Sequence, residues 1–404
     1  MATTAADFTP ATRGDAVALA RELAPRFAER AAAHDERGRF PEADFADLRE
    51  AGLLGLMVPV HLGGFGASFA EYAQVARELA RGAGSTALIF NMHASVTGAL
   101  AQTPDHLIRQ LGAPESAFAA KEKALAAAAD GALYAVAMSE RGGGSRLSRT
   151  TTAYRPVEGG YRITGSKAFV SGSGHADAYL VTARDLPTGT DTAEPAVSHF
   201  LVPSGEGLRV EETWDSLGMR ATGSHDLHLD VEVGPEALLG GIEGLALVLA
   251  EAMPQWLVAS YSAVYAGVAR AAVDAAADHV RSRGLHGLAS VRARLGRAEA
   301  AVAAAELVVA EAAARIDAHP GEEDTNRWVW RAKLIAGDTA FQVASSLLEA
   351  AGTSASRRGH PLERLYRDAR CGALQPATSD VCADWLGAAA LGADPDHDTG
   401  TPRW

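Results

Sequence analysis

Apolar residues recur at three- and four-residue steps through most of the chain, a spacing that predicts amphipathic helices. In the first third of the sequence, such helices are predicted over residues 15–36, 42–51, 69–82, 85–103 and 115–130. Asp105 is a candidate cap for one more helix. Because the segment 85–103 is apolar on nearly every side, we expect it to be buried. Residues 1–130 are therefore expected to form one α-helical domain.

The period of the pattern changes between residues 131 and 236. Short runs rich in β-branched and aromatic residues alternate here with turn signals such as Glu158-Gly159-Gly160, which predicts strands. The runs cover residues 133–138, 150–155, 161–164, 178–181, 199–202, 208–212 and 227–233. Strands of this number and spacing indicate a small antiparallel β-sandwich or barrel. Residues 185–195 are expected to form a solvated loop.

Helical spacing returns after residue 237. Helices are predicted over residues 241–281, 286–317, 323–351, 362–370 and 377–391. Long helices joined by short polar turns indicate an antiparallel helical bundle over residues 237–391, followed by a polar tail at 392–404. The predicted fold class is thus α+β multidomain: an N-terminal α-helical domain, a middle antiparallel β-sandwich or barrel and a C-terminal antiparallel helical bundle.

Composition narrows the range of partners. The 404 residues carry a formal net charge of −13, which argues against a nucleic-acid partner because phosphate binding needs clustered positive charge. No apolar run approaches the roughly 20 residues that span a bilayer, and the N-terminus does not read as a secretory signal. Cys371 and Cys382 lack metal-ligand spacing, so we expect no metal site and a reduced, cytoplasmic setting.

Two polar, glycine-containing runs lie at predicted strand ends: MSERGGGS at residues 138–145 and GSKAFVS at residues 165–171. Their backbone amides and small hydroxyls could hydrogen-bond a planar, electron-accepting ring. Three further segments accompany them: LGGFGA at 62–67, LGMR at 217–220 and GHPLERLYRDAR at 359–370. In this order and spacing, the five segments resemble the acyl-CoA dehydrogenase superfamily of flavoproteins, and the resemblance covers essentially the whole chain.

The resemblance implies a flavin between the β domain and the bundle, with FAD as the expected cofactor. Met138 and Ser139 would bind the pyrimidine edge of the ring, Phe169 would lie beside the ring, and Ser171 would lie near its reactive nitrogen. Ser145 would lie where the substrate enters. The remaining cofactor-binding positions implied are Arg281, Arg283, Gly352 and Thr378, and either arginine could pair with a pyrophosphate.

The catalytic base of the family is missing from both places where it is expected. The reaction needs a carboxylate that removes a proton next to the thioester carbonyl. Pro376 occupies the usual position after the RDAR segment, and Gln255 occupies the alternative position on the first long bundle helix. Glu251, one predicted helical turn before Gln255, is the nearest substitute. Glu251 and Gln255 are therefore the candidate catalytic residues of a divergent member without the usual glutamate.

Residues 86–98 and 251–265 are expected to line part of the substrate pocket. His93, Tyr261 and Tyr265 would offer polar groups there, although core packing is an alternative for each. Gln255 and Trp256 are further candidate substrate contacts, and Trp256 replaces an arginine that commonly contacts coenzyme A in the family.

Three functions stay open. The first is a flavin-dependent oxidoreductase acting on an acyl thioester, linked to coenzyme A or a carrier protein, or on a related small molecule. The second is a flavin-dependent monooxygenase of the same fold, hydroxylating carbon or nitrogen with O2 and with reduced FMN or FAD supplied by a partner reductase. The third is a flavin-poor, inactive binding or assembly partner. The partners implied are an acyl carrier protein, an electron-transfer flavoprotein or a flavin reductase, and the chain is expected to form a homodimer or homotetramer.

Overall fold

A computed structural model of the protein describes residues 15–186 and 196–394. The predicted loop at 185–195 and the predicted tail at 392–404 lie almost entirely outside these residues. The N-terminal region is helical, as predicted: α1 (Ala16–Arg37), α2 (Glu42–Glu50), α3 (Phe69–Gly82), α4 (Gly84–Gln102), α5 (Asp105–Gln110) and α6 (Glu115–Ala129).

Side-chain caps explain where two of these helices begin. The Asp15 carboxylate accepts a hydrogen bond from the Val17 amide at 2.9 Å, and Ser68 and Glu71 form a capping box at the start of α3. Asp105 is not a cap, as the sequence had suggested, but the first residue of α5 after Pro104. An acidic residue in the first turn still complements the helix dipole.

The middle region contains a seven-stranded sheet within the described residues. Its strands are β1 (Tyr134–Ala137), β2 (Ala153–Val157), β3 (Gly160–Val170), β4 (Ala178–Asp185), β5 (Val197–Pro203), β6 (Leu208–Glu211) and β7 (His225–Val233). The order is β1-β4-β2-β3-β7-β6, and β5 pairs with β4. Each predicted run therefore overlaps one strand.

The sheet is antiparallel at most of its strand pairings, as predicted, but not at all of them. β1 and β2 both pair with β4 in the parallel direction, with Tyr134 opposite Ala178 and Ala153 opposite Arg184. Parallel neighbours need a crossover connection, and the β2–β3 hairpin lies between β1 and β4 in the chain. Alternation of apolar and polar residues is the same in both directions, so it could not distinguish them.

The C-terminal region is a helical bundle: α7 (Leu245–Ala252), α8 (Ser260–Ser282), α9 (Ala289–Ala318), α10 (Glu323–Ala351), α11 (Pro361–Arg370) and α12 (Ser379–Ala390). The single helix predicted over 241–281 is broken. Pro254 lacks an amide hydrogen and disfavours helical geometry in the residue before it, and Met253 has φ −135° and ψ 57°. A short 3-10 turn, Pro254–Trp256, follows the break.

The three regions meet at the LGMR segment. The Arg367 side chain in α11 pairs with Asp35 at the end of α1 at 2.5 Å, and the Asp368 carboxylate accepts the Met219 amide at 2.6 Å. A Cβ atom on Gly218 would come within 2.2 Å of the Arg367 carbonyl oxygen, so only glycine permits this approach. Helices of the N-terminal region and of the bundle also share one hydrophobic core. The sheet is thereby held in a fixed position against both.

Candidate functional site

A cavity of about 1030 Å³ opens between α4, α6, the sheet and the bundle. This lies at the upper end of the range of about 300–1000 Å³ that small-molecule sites occupy. Both glycine-containing runs reach it, and the opposite wall comes from the bundle. The predicted site residues that line it are Met138, Ser139, Ser145, Phe169, Trp256, Tyr261 and Thr378.

A buried ion pair anchors the first run to the second. The Lys167 ammonium on β3 lies 2.7 Å from the Glu140 carboxylate, and it also donates to the Met138 carbonyl at 3.2 Å and to the Thr150 hydroxyl at 2.9 Å. The two charged side chains are almost completely buried. The Met138–Ser139 strand end is therefore held against β3 by a charge-assisted contact.

Glu140 is satisfied on both oxygens. It accepts hydrogen bonds from the Thr151 and Thr152 amides at 2.7 Å and 2.9 Å, and from the Thr150 and Thr151 hydroxyls. Burial opposes its charge, but Lys167 and these donors outweigh burial and hold the pKa of Glu140 well below its usual range. Sequence reasoning assigned no role to this pair. The sequence offered one signal for the pair: an acidic residue in the first run and a basic residue in the second.

Phe169 adopts a backbone conformation that is rare for a bulky residue. Its φ is 60°, in the left-handed region that costs on the order of 1–3 kcal/mol for a non-glycine residue. The pairing of β3 with β7 also shifts register between Lys167 and Val170, which is typical of a β-bulge that redirects a side chain. The result is an aromatic ring that stays 56% exposed at the cavity. An exposed ring held at such a cost indicates a binding surface.

Ser171 follows two residues later and is buried behind this wall rather than lining the cavity. Its hydroxyl lies 2.9 Å from the Ser224 hydroxyl, which lies 2.7 Å from the Thr222 hydroxyl. Thr222 donates to the Met219 carbonyl at 2.9 Å. Thr222 and Ser224 lie just after the LGMR segment.

The two candidate catalytic residues are separated by the break at Pro254. Glu251 is exposed on α7, whereas Gln255 is buried in the 3-10 turn with 2% of its surface exposed. Neither belongs to the cavity wall. The single helical turn expected between Glu251 and Gln255 is not formed, because α7 ends at Ala252 and Met253 is not helical.

His93 is a structural residue and not a substrate contact. Its Nε2 lies 2.7 Å from the Leu54 carbonyl, and its Nδ1 accepts the Tyr134 amide at 3.0 Å. Both ring nitrogens are therefore used inside the fold. Burial lowers the pKa of His93 to about 4. The expectation that His93 faces the substrate is not met, and packing explains the residue instead.

Trp256 and the two tyrosines differ in their surroundings. Trp256 donates to the Gln102 side chain at 3.0 Å and packs edge-on against Phe69 and Tyr72, so it forms a rigid part of the wall. Tyr261 lines the cavity. Tyr265 is buried outside the cavity and accepts a hydrogen bond from the Gln375 amide at 3.0 Å.

Three of the expected cofactor-binding positions, Arg281, Arg283 and Gly352, do not line the cavity. Arg281 is exposed and pairs with Asp278 at 2.8 Å, and Arg283 is exposed just beyond α8. Gly352 ends α10 with φ 79°, which is a conformation that favours glycine. Their roles in cofactor binding stay predictions.

His199 lines the cavity, and sequence reasoning missed it. It lies on β5, half-buried, with its Nδ1 3.0 Å from the Thr182 hydroxyl. Burial, together with the nearby Lys167, lowers the pKa of His199 to about 4, so the imidazole is neutral at pH 7. The sequence placed it in a strand, but the face of that strand could not be assigned.

Carboxylates reach the cavity from the helical domain and the sheet side only. Among the described residues that line it, these are Asp105, Asp177, Glu206, Glu232 and Glu236. Asp105 pairs with Lys121 at 2.7 Å, and Asp177 accepts the Leu133 amide at 2.7 Å. The bundle wall is formed by Trp256, Leu257, Tyr261, Pro376, Ala377, Thr378, Val381 and Trp385 among others, and carries no carboxylate in the described part of the chain. Pro376 thus lies on the wall where the family's base is expected.

The described residues also contain no helix with the length and apolarity needed to cross a bilayer. They contain no group of three or more histidine, cysteine, aspartate or glutamate side chains that could hold a metal ion.

Comparison with known proteins identifies the family. The N-terminal, middle and C-terminal domain models of acyl-CoA dehydrogenase match residues 15–110, 135–231 and 259–379. The chain is 32% identical to the putative acyl-CoA dehydrogenase YdbM of Bacillus subtilis, over 91% of this chain and 94% of that protein. It is 31% identical to L-evernosamine nitrososynthase of a Micromonospora species, over 97% of this chain and 93% of the relative.

A solved structure shows the same fold. The complex of TdsC from Paenibacillus sp. A11-2 with FMN and indole superimposes with a TM-score of 0.80 at 27% identity, covering 93% of this chain and 97% of TdsC. The resemblance inferred from the five sequence segments is confirmed, and so is the three-part fold. The chain belongs to the acyl-CoA dehydrogenase family of flavin-dependent oxidoreductases.

Proposed function

We propose that the protein is a flavin-dependent monooxygenase that uses reduced flavin and O2 to oxygenate a small, largely apolar or aromatic substrate. The observation that carries this proposal is the bundle wall of the cavity. In the described part of the chain this wall offers aromatic and aliphatic side chains but no carboxylate. A reaction that begins by removing a proton next to a thioester carbonyl needs a base there. Oxygen transfer does not.

The residues present fit a flavin. Ser139 and Ser145 supply hydroxyl groups at the end of β1 and in the following loop, and Phe169 supplies an exposed ring. The cavity of about 1030 Å³ can hold a tricyclic ring together with a small substrate. When bound, the reduced flavin supplies the electrons that activate O2.

The chain's own side chains would bind the flavin, orient the substrate and shield the reaction from water. Met138 and Ser139 would hold one edge of the ring, because the Glu140–Lys167 pair fixes that strand end. Phe169 and Thr378 would complete the site around the ring. Trp256, Tyr261 and Trp385 would pack against the substrate and exclude water from it, which protects a reactive intermediate from side reactions. His199, neutral at pH 7, would accept or donate one hydrogen bond to a polar group of the substrate.

The relatives support this proposal without deciding it. One relative is named a nitrososynthase, and the matching structure contains FMN and indole. Reduced FMN delivered by a separate reductase is therefore our preferred cofactor arrangement, with FAD as the alternative. A homodimer or homotetramer stays the expected assembly, and a cytoplasmic setting stays a prediction.

A second function also has a specific observation in its favour. YdbM, 32% identical over nearly the whole chain, is named a putative acyl-CoA dehydrogenase, which favours an oxidoreductase acting on an acyl thioester. Such an activity would need a base from the sheet side of the cavity or from a rearranged bundle wall.

One experiment separates the two functions. The purified protein is supplied with FMN, NADH, a flavin reductase, isotopically labelled O2 in place of air, and indole as a probe, and the products are analysed by mass spectrometry. We expect one labelled oxygen atom in the product, and no anaerobic bleaching of oxidised flavin by octanoyl-CoA. Bleaching by the thioester without any oxygenated product would overturn the proposal in favour of the second function. Absence of flavin binding in either redox state would favour an inactive binding partner.

A further inference from the structure

Arg146 directly follows the first glycine-containing run and lines the cavity. The loop before it is closed, because the Glu140 amide donates to the Gly144 carbonyl at 2.9 Å and the Gly144 amide donates back to the Glu140 carbonyl at 2.9 Å. The Arg146 carbonyl accepts the Arg149 amide at 3.2 Å, and the next side chain, Leu147, is buried. The fold therefore fixes the point from which the Arg146 side chain extends.

The guanidinium of Arg146 has no partner in the part of the chain that the structure describes. The residue is half-buried, and neither a hydrogen bond nor an ion pair joins its side chain to another described residue. Arg141, in the same run, instead pairs with Asp226 at 2.5 Å. A guanidinium stays charged and carries five N–H donors, and removing a charge from water without a partner is costly. An unpaired arginine on a cavity wall therefore indicates a site for an anion that a ligand supplies.

Two other cations line the cavity within the described residues, Lys121 and Lys123. Lys121 pairs with Asp105 at 2.7 Å and donates to the Thr103 carbonyl at 3.0 Å, so its charge is already compensated. Lys123 is exposed on α6, where water solvates its ammonium. Of the three cations, only Arg146 combines partial burial with the lack of a partner.

The carboxylates of the cavity wall leave this charge uncompensated. Three of them are exposed to solvent: Glu206, Glu232 and Glu236. Glu206 lies in the turn after Pro203. Pro203 is opposite Ala178, and Ala178 is opposite Tyr134 at the start of β1, whereas Arg146 belongs to the loop beyond the other end of β1. At about 3.3 Å per residue, the length of this strand separates the two positions on the wall.

Arg146 lies where the sheet side of the cavity meets the bundle. The 3-10 turn Leu147–Arg149, which follows Arg146, packs against α7, and Leu249 of α7 lines the cavity. The aromatic rings of Trp256 and Tyr261 follow on the same bundle wall. A ligand with an apolar ring against this wall and an anionic group toward the sheet side would satisfy both surfaces.

We propose that Arg146 binds an anionic group of the substrate, a carboxylate in the simplest case, and so selects apolar or aromatic acids over their neutral analogues. The inference rests on the proposed function, which places the substrate in this cavity. The planar guanidinium matches a carboxylate with two parallel hydrogen bonds. A phosphate offers the same geometry, so the phosphate of FMN is the competing source of an anion.

The test compares two acids with their neutral amides as probes: indole-3-carboxylate with indole-3-carboxamide, and indole-3-acetate with indole-3-acetamide. Two lengths are used because the long arginine side chain can meet a carboxylate at different depths. Dissociation constants are measured by isothermal titration calorimetry at pH 7 with oxidised FMN present. In at least one pair, we expect the acid to bind at least about tenfold more tightly than its amide, and high salt should reduce this preference.

Three variants assign the preference to its residue. Arg146→Gln should lower the affinity for the acid by at least about tenfold and leave the affinity for the amide unchanged. Arg146→Lys keeps the charge without the planar fork, so it should recover part of the preference. Arg149→Gln is the matched control, because Arg149 is exposed three residues further on and does not line the cavity. It should keep the full preference, and thermal melting checks that each variant is folded.

Equal affinities for acid and amide in both pairs, or a preference that Arg146→Gln leaves intact, would refute the inference. An equal loss for acid and amide in Arg146→Gln would refute it as well, because it would indicate a structural role. Titrations with FMN and riboflavin test the competing source. If Arg146→Gln weakens only FMN, the guanidinium binds the cofactor phosphate and the inference fails. A preference for the acid without labelled product in the oxygenation experiment would retain the anion site and overturn the proposed function alone.

Discussion

Lys167 and Glu140 offer the sharpest test of how this site is built. The perturbation is Lys167→Met, which keeps most of the aliphatic stem and removes the ammonium. The structure shows that three contacts disappear: those to the Glu140 carboxylate at 2.7 Å, the Thr150 hydroxyl at 2.9 Å and the Met138 carbonyl at 3.2 Å. The Glu140 carboxylate stays buried without its counter-ion.

The magnitude follows from what remains around Glu140. Breaking a buried ion pair on one side costs about 3–5 kcal/mol. Glu140 keeps the donors of Thr150, Thr151 and Thr152, so we expect a loss near the lower limit, about 3 kcal/mol in the free energy of unfolding. Flavin affinity should also fall, because Lys167 holds the carbonyl of Met138 at the proposed ring edge.

The assay is urea unfolding at pH 7 without added flavin, followed by circular dichroism. A double-mutant cycle with Glu140→Gln isolates the coupling between the two side chains. The double variant no longer buries a lone charge, so it should be more stable than the sum of the two single losses by about 2 kcal/mol. A loss below about 1 kcal/mol for Lys167→Met, or strictly additive losses, would refute the view that this pair anchors the run.

Three further predictions rest on other contacts. Because burial lowers the pKa of His93 from 6.5 to about 4, the folded state disfavours its protonation; stability is complete above pH 6.5 and decreases as the pH falls toward 4. The contribution to the free energy of unfolding lost between pH 7 and pH 5 is about 2 kcal/mol. Melting temperatures measured from pH 7 to pH 5 should therefore fall less steeply for His93→Gln than for the unaltered protein. An equal fall in both proteins would count against this explanation. Gly98→Ala should lower the free energy of unfolding by about 1–3 kcal/mol, because a Cβ there would lie 2.2 Å from the Trp256 ring. A chemical denaturation midpoint equal to that of the unaltered protein would show that the Trp256 ring moves aside without cost. Arg367→Met should cost at least about 3 kcal/mol by leaving Asp35 partly buried without its partner, and a melting temperature within experimental error of the unaltered protein would contradict this.

The sequence by itself determined most of the secondary structure and the family. A helix or strand that buries one face has apolar residues at a fixed period, and a short stretch of sequence is enough to show that period. The glycine-containing runs, the LGMR segment and the absence of a glutamate at Pro376 were likewise readable, because each is a short, continuous motif. Pro254 also signals a helix break in the sequence itself, although the apolar pattern continues on both sides of it.

Only the tertiary structure decided what the site is made of. The direction of β1 against β4, the pairing of Glu140 with Lys167 and the burial of both His93 nitrogens depend on segments that are distant in the chain. The hydrogen bond between the Ser171 and Ser224 hydroxyls likewise joins residues more than 50 positions apart. Hydrogen bonds and ion pairs are set by distances of a few tenths of an ångström between such segments. Periodicity carries no information about distances on that scale, so the sequence located the two glycine-containing runs while the folded chain determined their contacts.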